Sequence, residues 1–314
     1  MNYTKPFSKL TKKSIAEAGG KGASLGEMAG SGIPVPPGFV VLADTFDAFV
    51  RETEIVEDIQ AELDEVNYKD TNSIDRASNV IRDIIRRTKT PKDIEEAIMH
   101  AFQKLGAKFV AVRSSATAED SKEASWAGEL ETYLYVTDKK LLDQVKTCWS
   151  SLFTPRAIFY RHEKNLLKKK VSVAVVVQKM INSDVSGITF TVHPVTQDRN
   201  QMIIEAGYGI GEAVVSGSIT PDSYILDKKQ LTMLDVSVAE QARMMIMKGA
   251  AGGLKWVVVP KAKQEKQKLT DKKIMELASL CAKIEKHYRH PQDIEWALEK
   301  NKIYILQSRP ITTL

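Results

Sequence analysis

Two cysteines in 314 residues, Cys148 and Cys281, are too few and too far apart to frame a disulfide-stapled fold or a cysteine-built metal site. Each sits in an apolar helical pattern, so buried free thiols in a reducing compartment are expected, and neither is assigned chemistry. No stretch approaches the ~20 uninterrupted apolar residues that a membrane-spanning helix needs. Residues 1–6 have no apolar run behind them, so no secretory signal is read and a cytoplasmic location is expected. Internal repeats and low-complexity segments are lacking too. Histidine is sparse: His193 precedes a proline at a strand end, His287 and His290 flank a helix terminus, and His100 and His162 lie on charged helical faces. None stands in a glycine-rich loop, and no Ser/His/Asp or Cys/His set can be assembled, which leaves no candidate nucleophile.

What is present is an ordinary globular composition, 43% hydrophobic and 27% charged. At 35.0 kDa the chain can bury a large core and is long enough for about two domains. The net charge of +5 is concentrated at residues 168–170 and 261–273. Lysines there alternate with glutamine and not with aromatics, which reads as a solvated loop leading into a helix near Thr270; neither nucleic acid nor membrane is expected as a partner. An anionic ligand would gain from the same field.

Along the chain, a helical pattern at 24–28 follows the glycine cluster Gly19-Gly20-Lys21-Gly22, and a proline-rich turn at 33–38 feeds a short strand. Helical periodicity fills 44–105, broken near 68–72 and at Pro91. Strands are expected at 108–113, 171–180, 187–192 and 202–206, with a hairpin at 224–236, a helix at 270–287 and a closing strand pair at 293–298 and 302–310. Residues 114–125 read as a loop of small residues. The class is α/β or α+β with a mainly antiparallel C-terminal half.

The closing pair carries the most pointed pattern. Side chains alternate faces along a strand; with Asn301 at the turn centre, Glu295 lies opposite Gln307 and Asp293 opposite Arg309, while Trp296 and Leu298 face the core. Two carboxylates, an amide oxygen and a guanidinium on one face suit Mg²⁺ and phosphate. A slip of one residue would dissolve the set. Elsewhere the signals are individually weak. The cluster at 19–26 opens a helix, so its amides and Lys21 could meet a phosphate, although it has neither Walker nor dinucleotide spacing. Arg113 ends a buried strand, where open sheets present ligand-binding groups. The small residues after it, with Gly128 and the hydroxyl of Thr132, suggest a flap. Gln178 and Met180 end the most apolar strand, a place for a purine ring, and Glu205 leads a glycine-punctuated turn from which a carboxylate could reach a ribose or a metal.

The order of these segments resembles one family. Gly-Gly-Lys-Gly-Ala-Ser-Leu-Gly at 19–26, Ile-Pro-Val-Pro-Pro-Gly-Phe at 33–39, Val-Arg-Ser-Ser-Ala at 112–116, Gly-Ile-Thr-Phe-Thr at 187–191, the glycine-rich run at 205–217, and Asp-Ile-Glu-Trp with Gln-Ser-Arg-Pro-Ile-Thr at the end are similar to the N-terminal ATP-binding domain of the phosphoenolpyruvate synthase and pyruvate phosphate dikinase family, also found in rifampicin phosphotransferase. The resemblance covers nearly the whole chain. It implies an ATP-grasp fold with nucleotide between an N-terminal lobe, 1–180, and a C-terminal lobe, 181–314. It also implies ATP and Mg²⁺ as cofactors. Lys21 and Arg113 would contact phosphates, Gly128 and Thr132 belong to the flap, and Gln178 and Met180 line the adenine slot. Glu295 and Gln307 would hold Mg²⁺ with Asp293 adjacent, and Arg309 would clamp phosphates.

In that family a histidine on a separate swivelling domain is the acceptor and carries the phosphoryl group to a distant substrate, and pyrophosphoryl transfer with AMP as the leaving group is what the resemblance implies for a dikinase. Phosphoryl transfer of this kind needs positioning and charge neutralisation more than covalent help. The sequence closes four residues after Pro310, so the phosphohistidine and substrate-binding domains are expected as partners, whether the chain is an excised domain or one subunit of a split enzyme as in phenylphosphate synthase-like systems. Two other readings are an ATP-binding module without turnover and a stand-alone ATP-grasp ligase.

Overall fold

The computed structural model describes residues 2–117, 131–164 and 172–312. It divides into two compact units, one of Met1–Glu27 with Pro37–Met180 and the other of Met28–Pro36 with Ile181–Leu314.

The first unit is a five-stranded sheet with helices. In chain order it runs β1 (Thr4–Pro6), the first part of α1 (Ile15–Gly30), β2 (Gly38–Val41), α2 (Ala43–Glu52), α3 (Val56–Asp64), α4 (Thr71–Arg87), α5 (Lys92–Leu105), β3 (Val110–Ala116), β4 (Thr132–Val136), α6 (Asp138–Ser150), α7 (Pro155–Glu163) and β5 (Val173–Lys179). The strand order is β1-β2-β5-β3-β4, and every pairing is antiparallel. One face of the sheet, with Val110, Val112, Val173, Val175 and Val177, packs into a continuous apolar core with α2 to α7 around Trp149. Helix α4 shows why such segments fold as they do. Asp70 caps its first turn by accepting from the Asn72 amide, Arg86 and Arg87 sit in its last turn, and Ile74, Ala77, Ile81 and Ile85 form its buried stripe.

The second unit continues with β6 (Val185–Phe190), β7 (Gln201–Tyr208), α8 (Glu212–Val215), β8 (Asp222–Asp227), β9 (Thr232–Ser237), β10 (Arg243–Met247), β11 (Leu254–Val258), α9 (Lys261–Gln264), α10 (Asp271–Tyr288), β12 (Gln292–Glu299) and β13 (Lys302–Pro310). Six strands form an antiparallel sheet in the order β13-β12-β6-β7-β8-β9, and β10 and β11 make a separate hairpin. Helix α10 buries Ile274, Leu277, Ala278, Cys281 and Ile284, spaced as one helical stripe, and packs against β7 and β12. Both cysteines are free and buried. The segment Met28–Pro36 belongs here because it runs beside β13: the Ile305 amide donates to the Pro34 carbonyl at 2.9 Å.

Several expectations need correction. The first helix begins at Ile15, well before Ser24, with a break at Gly19. Ser114, Ser115 and Ala116 continue strand β3 and are fully buried, where a loop was expected. Small hydroxyls mimic loop composition, but here they are satisfied by backbone: Ser114 Oγ accepts from the Glu131 amide at 2.8 Å. The basic stretch is not uniformly solvated. Lys268 forms a fully buried ion pair with Asp222 at 2.8 Å, whose carboxylate also accepts from Tyr224 Oη and the Ala239 amide. The β10/β11 hairpin was not foreseen, and antiparallel pairing extends to the N-terminal sheet.

Candidate functional site

The two-residue turn Lys300-Asn301 between β12 and β13 holds both residues at positive φ, 47° and 67°, the twist that suits a tight hairpin. Such a turn pairs Glu299 with Lys302 and Trp296 with Ile305. Continued without interruption, that count would set Glu295 against Leu306 and send Gln307 to the opposite face. A bulge between Glu295 and Trp296 shifts the register by one. Beyond it Glu295 pairs with Gln307 and Asp293 with Arg309. The expected pairs therefore form, but the turn is centred between Lys300 and Asn301 and the bulge supplies the missing residue. Ile294 and Trp296 face the buried side; Leu298, expected beside them in the core, is only half-buried.

The polar face extends inward across the sheet. Register places Ile188 of β6 beside Glu295 and Glu205 of β7 beside Ile188, so Glu205 shares the row two strands away, about 10 Å at ordinary strand spacing. Asp293 accepts from Arg309 Nε at 2.8 Å and lies 2.8 Å from its Nη2. Burial pushes the Asp293 carboxyl up; Arg309 opposes this and the Glu295 charge adds to it, leaving a net raised value. Glu205 is raised by burial and then by the charge of Asp293. In both residues burial is the larger cause and a neighbouring carboxylate the smaller one.

The donors are all hard oxygens, which fits Mg²⁺. Among the described residues no group of three or more His, Cys, Asp or Glu side chains could cage a metal on its own.

In the first unit, the sheet face turned away from the helical core carries the other candidates. Arg113 pairs with Thr132 of β4 and with Val176 of β5, while Gln178 pairs with Ala111; alternation puts Arg113, Ser115, Thr132 and Gln178 on one face. Arg113 and Gln178 are buried and Thr132 is exposed. Helix α1 lies on that face, with Gly22 against Val40 and Gly19 against Ser115, and brings Lys21 there. Met180 follows β5 and its amide donates to the Phe109 carbonyl at 3.1 Å. Gly128 lies outside the described residues. Sequence reasoning missed two supports. Ser115 joins the broken helix to the sheet, and Gln241 pins the glycine turn by accepting from the Tyr208 amide and donating to the Tyr208 carbonyl. The hydroxyl in Val-Arg-Ser-Ser-Ala was a usable signal for the first; an isolated glutamine gave none for the second.

Two of the histidines have structural surroundings. His193 Nδ1 accepts from the Val195 and Thr196 amides, and the His162 ring stacks on Tyr68 with centroids 3.8 Å apart.

A profile described as "Pyruvate phosphate dikinase, AMP/ATP-binding domain" matches residues 15–314. The chain belongs to this family. The mixed antiparallel architecture is that of an α+β, ATP-grasp-like domain. Over its whole length the chain is 46% identical to the "Probable phosphoenolpyruvate synthase" of Methanocaldococcus jannaschii, of which it covers 27%. It is 48% identical over 97% of its length to the protein of the same name from Archaeoglobus fulgidus, covering 41% of that protein. The "Phosphoenolpyruvate synthase" of Pyrococcus furiosus is 41% identical over 99% of the chain, which covers 44% of it. The chain thus spans under half the length of these curated relatives. None of the helices among the described residues is long and apolar enough to cross a membrane.

Proposed function

We propose that this chain is the ATP-binding catalytic part of a dikinase-type phosphotransferase. It uses Mg-ATP to phosphorylate a histidine on a domain or subunit outside residues 1–314, and the phosphoryl group then passes to a substrate such as pyruvate or a hydroxyl compound. The observation that carries the reading is the hairpin face, where a bulge sets Glu295 beside Gln307 and Asp293 beside Arg309 in a chain of this family.

Glu295 and Gln307 would hold Mg²⁺, which when bound neutralises phosphate charge. Arg309, oriented by Asp293, would clamp phosphate oxygens, with Lys21 and Arg113 supplying further positive charge. Gln178 and Met180 would line the adenine slot, with Thr132 belonging to the flap and Glu205 near the ribose or metal. The chain's part is to orient the nucleotide and stabilise charge while an external histidine nitrogen forms the new P–N bond and a phosphoanhydride P–O bond breaks.

The test mixes the chain with Mg²⁺, labelled ATP and a separately expressed phosphohistidine domain. Acid-labile label on the histidine domain is expected, and none with Glu295→Ala, whose folded state should be preserved by circular dichroism. ATP binding without transfer would instead favour a module that binds nucleotide without turnover.

A further inference from the structure

Helix α1 is broken at Gly19, where φ is 67° and ψ 175°. A break inside a helix leaves amides of the second segment and carbonyls of the first without helical partners. Here both kinds are met by one side chain from the sheet. Ser115 Oγ donates to the Ala18 carbonyl at 3.0 Å and accepts from the Gly22 amide at 3.4 Å. A hydroxyl can do both at once. The approach is close: a Cβ on Gly19 would lie 2.2 Å from Ser115 Oγ and 2.4 Å from the Ser115 carbonyl oxygen. Ser115 is fully buried. Lys21 is the second residue beyond the break, and Arg113 is two residues from Ser115 on the same strand and therefore on the same face.

We propose that Ser115 is the positioning residue for Lys21, its hydroxyl closing the break in α1 and so fixing Lys21 relative to Arg113. The inference rests on the reading that Lys21 contacts ATP phosphates. Ser115 itself touches backbone on both sides of Gly19, so it acts through the helix and not on the nucleotide. The energetic consequence is specific: loss of the hydroxyl leaves the phosphate-facing charge misplaced, whereas contacts to the base, made through β5, are retained.

Calorimetric titration of Mg-ATP and of adenosine into the full chain and its variants tests this. Ser115→Ala should lower ATP affinity about tenfold, the size of a lost buried hydrogen-bond pair, and leave adenosine affinity within about twofold. In a double-mutant cycle, adding Ser115→Ala to Lys21→Ala should cost little more, because both act through one group. Equal losses for ATP and adenosine, or the same factor in both backgrounds, would overturn the positioning role and reduce Ser115 to a fold-stabilising contact. An unchanged ATP-to-adenosine ratio in Lys21→Ala would overturn the phosphate assignment of Lys21 and the inference with it.

Discussion

Single atoms decide several properties of this chain. Gly187 lies in the middle of β6, where a Cβ would stand 1.8 Å from the Glu205 carbonyl oxygen and 2.8 Å from Trp296 Cζ2. Backbone in a central strand cannot retreat, so Gly187→Ala should cost about 3 kcal/mol or more, measured by denaturant unfolding. Glu205, which the same clash would push, leaves the polar row, and nucleotide binding should fall in parallel. The cysteines offer a second reading at this scale. Burial pushes the Cys281 thiol up to about 12 and Cys148 well above its ordinary value. Both stay protonated in the native protein, so a thiol reagent at pH 8 should react slowly, then titrate two thiols in denaturant. A raised native pKa means the contribution to stability is complete below the ordinary thiol pKa, and it is lost as pH climbs from there toward the native values.

At the scale of elements, the closing hairpin is a problem of parity. Leu306 occupies the bulge, and removing it would restore an uninterrupted count from the Lys300-Asn301 turn. Gln307 would then follow Ile305 directly and still stand opposite Glu295, with Ser308 opposite Ile294 and Arg309 opposite Asp293, so the same pairs would form in an unbroken ladder. Deletion of Leu306 should therefore keep Mg-dependent ATP binding within a few-fold of the parent, as should Leu306→Ala, and loss of binding in the deletion alone would show that the bulge shapes the site beyond setting the pairs. Alternation in the sequence made the two strands legible, and the pairing of Glu295 with Gln307 could be read from it. The reason for that pairing could not, because an offset of half a residue in the turn and a one-residue bulge cancel. Strand β3 failed for another cause: Ser114 and Ser115 have the composition of a loop, and their partners, Glu131 and Ala18, are distant in sequence. The β10/β11 hairpin escaped notice because its strands alternate poorly and stay partly exposed.

For the whole molecule, two apolar cores follow from the two units. Trp149 is fully buried in the first and Trp296 nearly so in the second. Unfolding should depart from a single two-state transition. Variants that keep only one of these tryptophans should report distinct midpoints in urea, and coincident midpoints would show the cores to be one cooperative block. The order of motifs made the family legible from sequence, since each segment lies at a strand end or helix start with a local signature. The membership of Met28–Pro36 was not legible, because it depends on the Ile305–Pro34 hydrogen bond between segments far apart in the chain. That short excursion has a practical meaning for anyone dissecting the protein. Residues 181–314 expressed alone would lack the strip that shields β13, leaving a sheet edge open to pairing with other molecules. The cure is a graft: a fragment carrying residues 28–36 on a linker should stay monomeric at concentrations where the bare fragment aggregates.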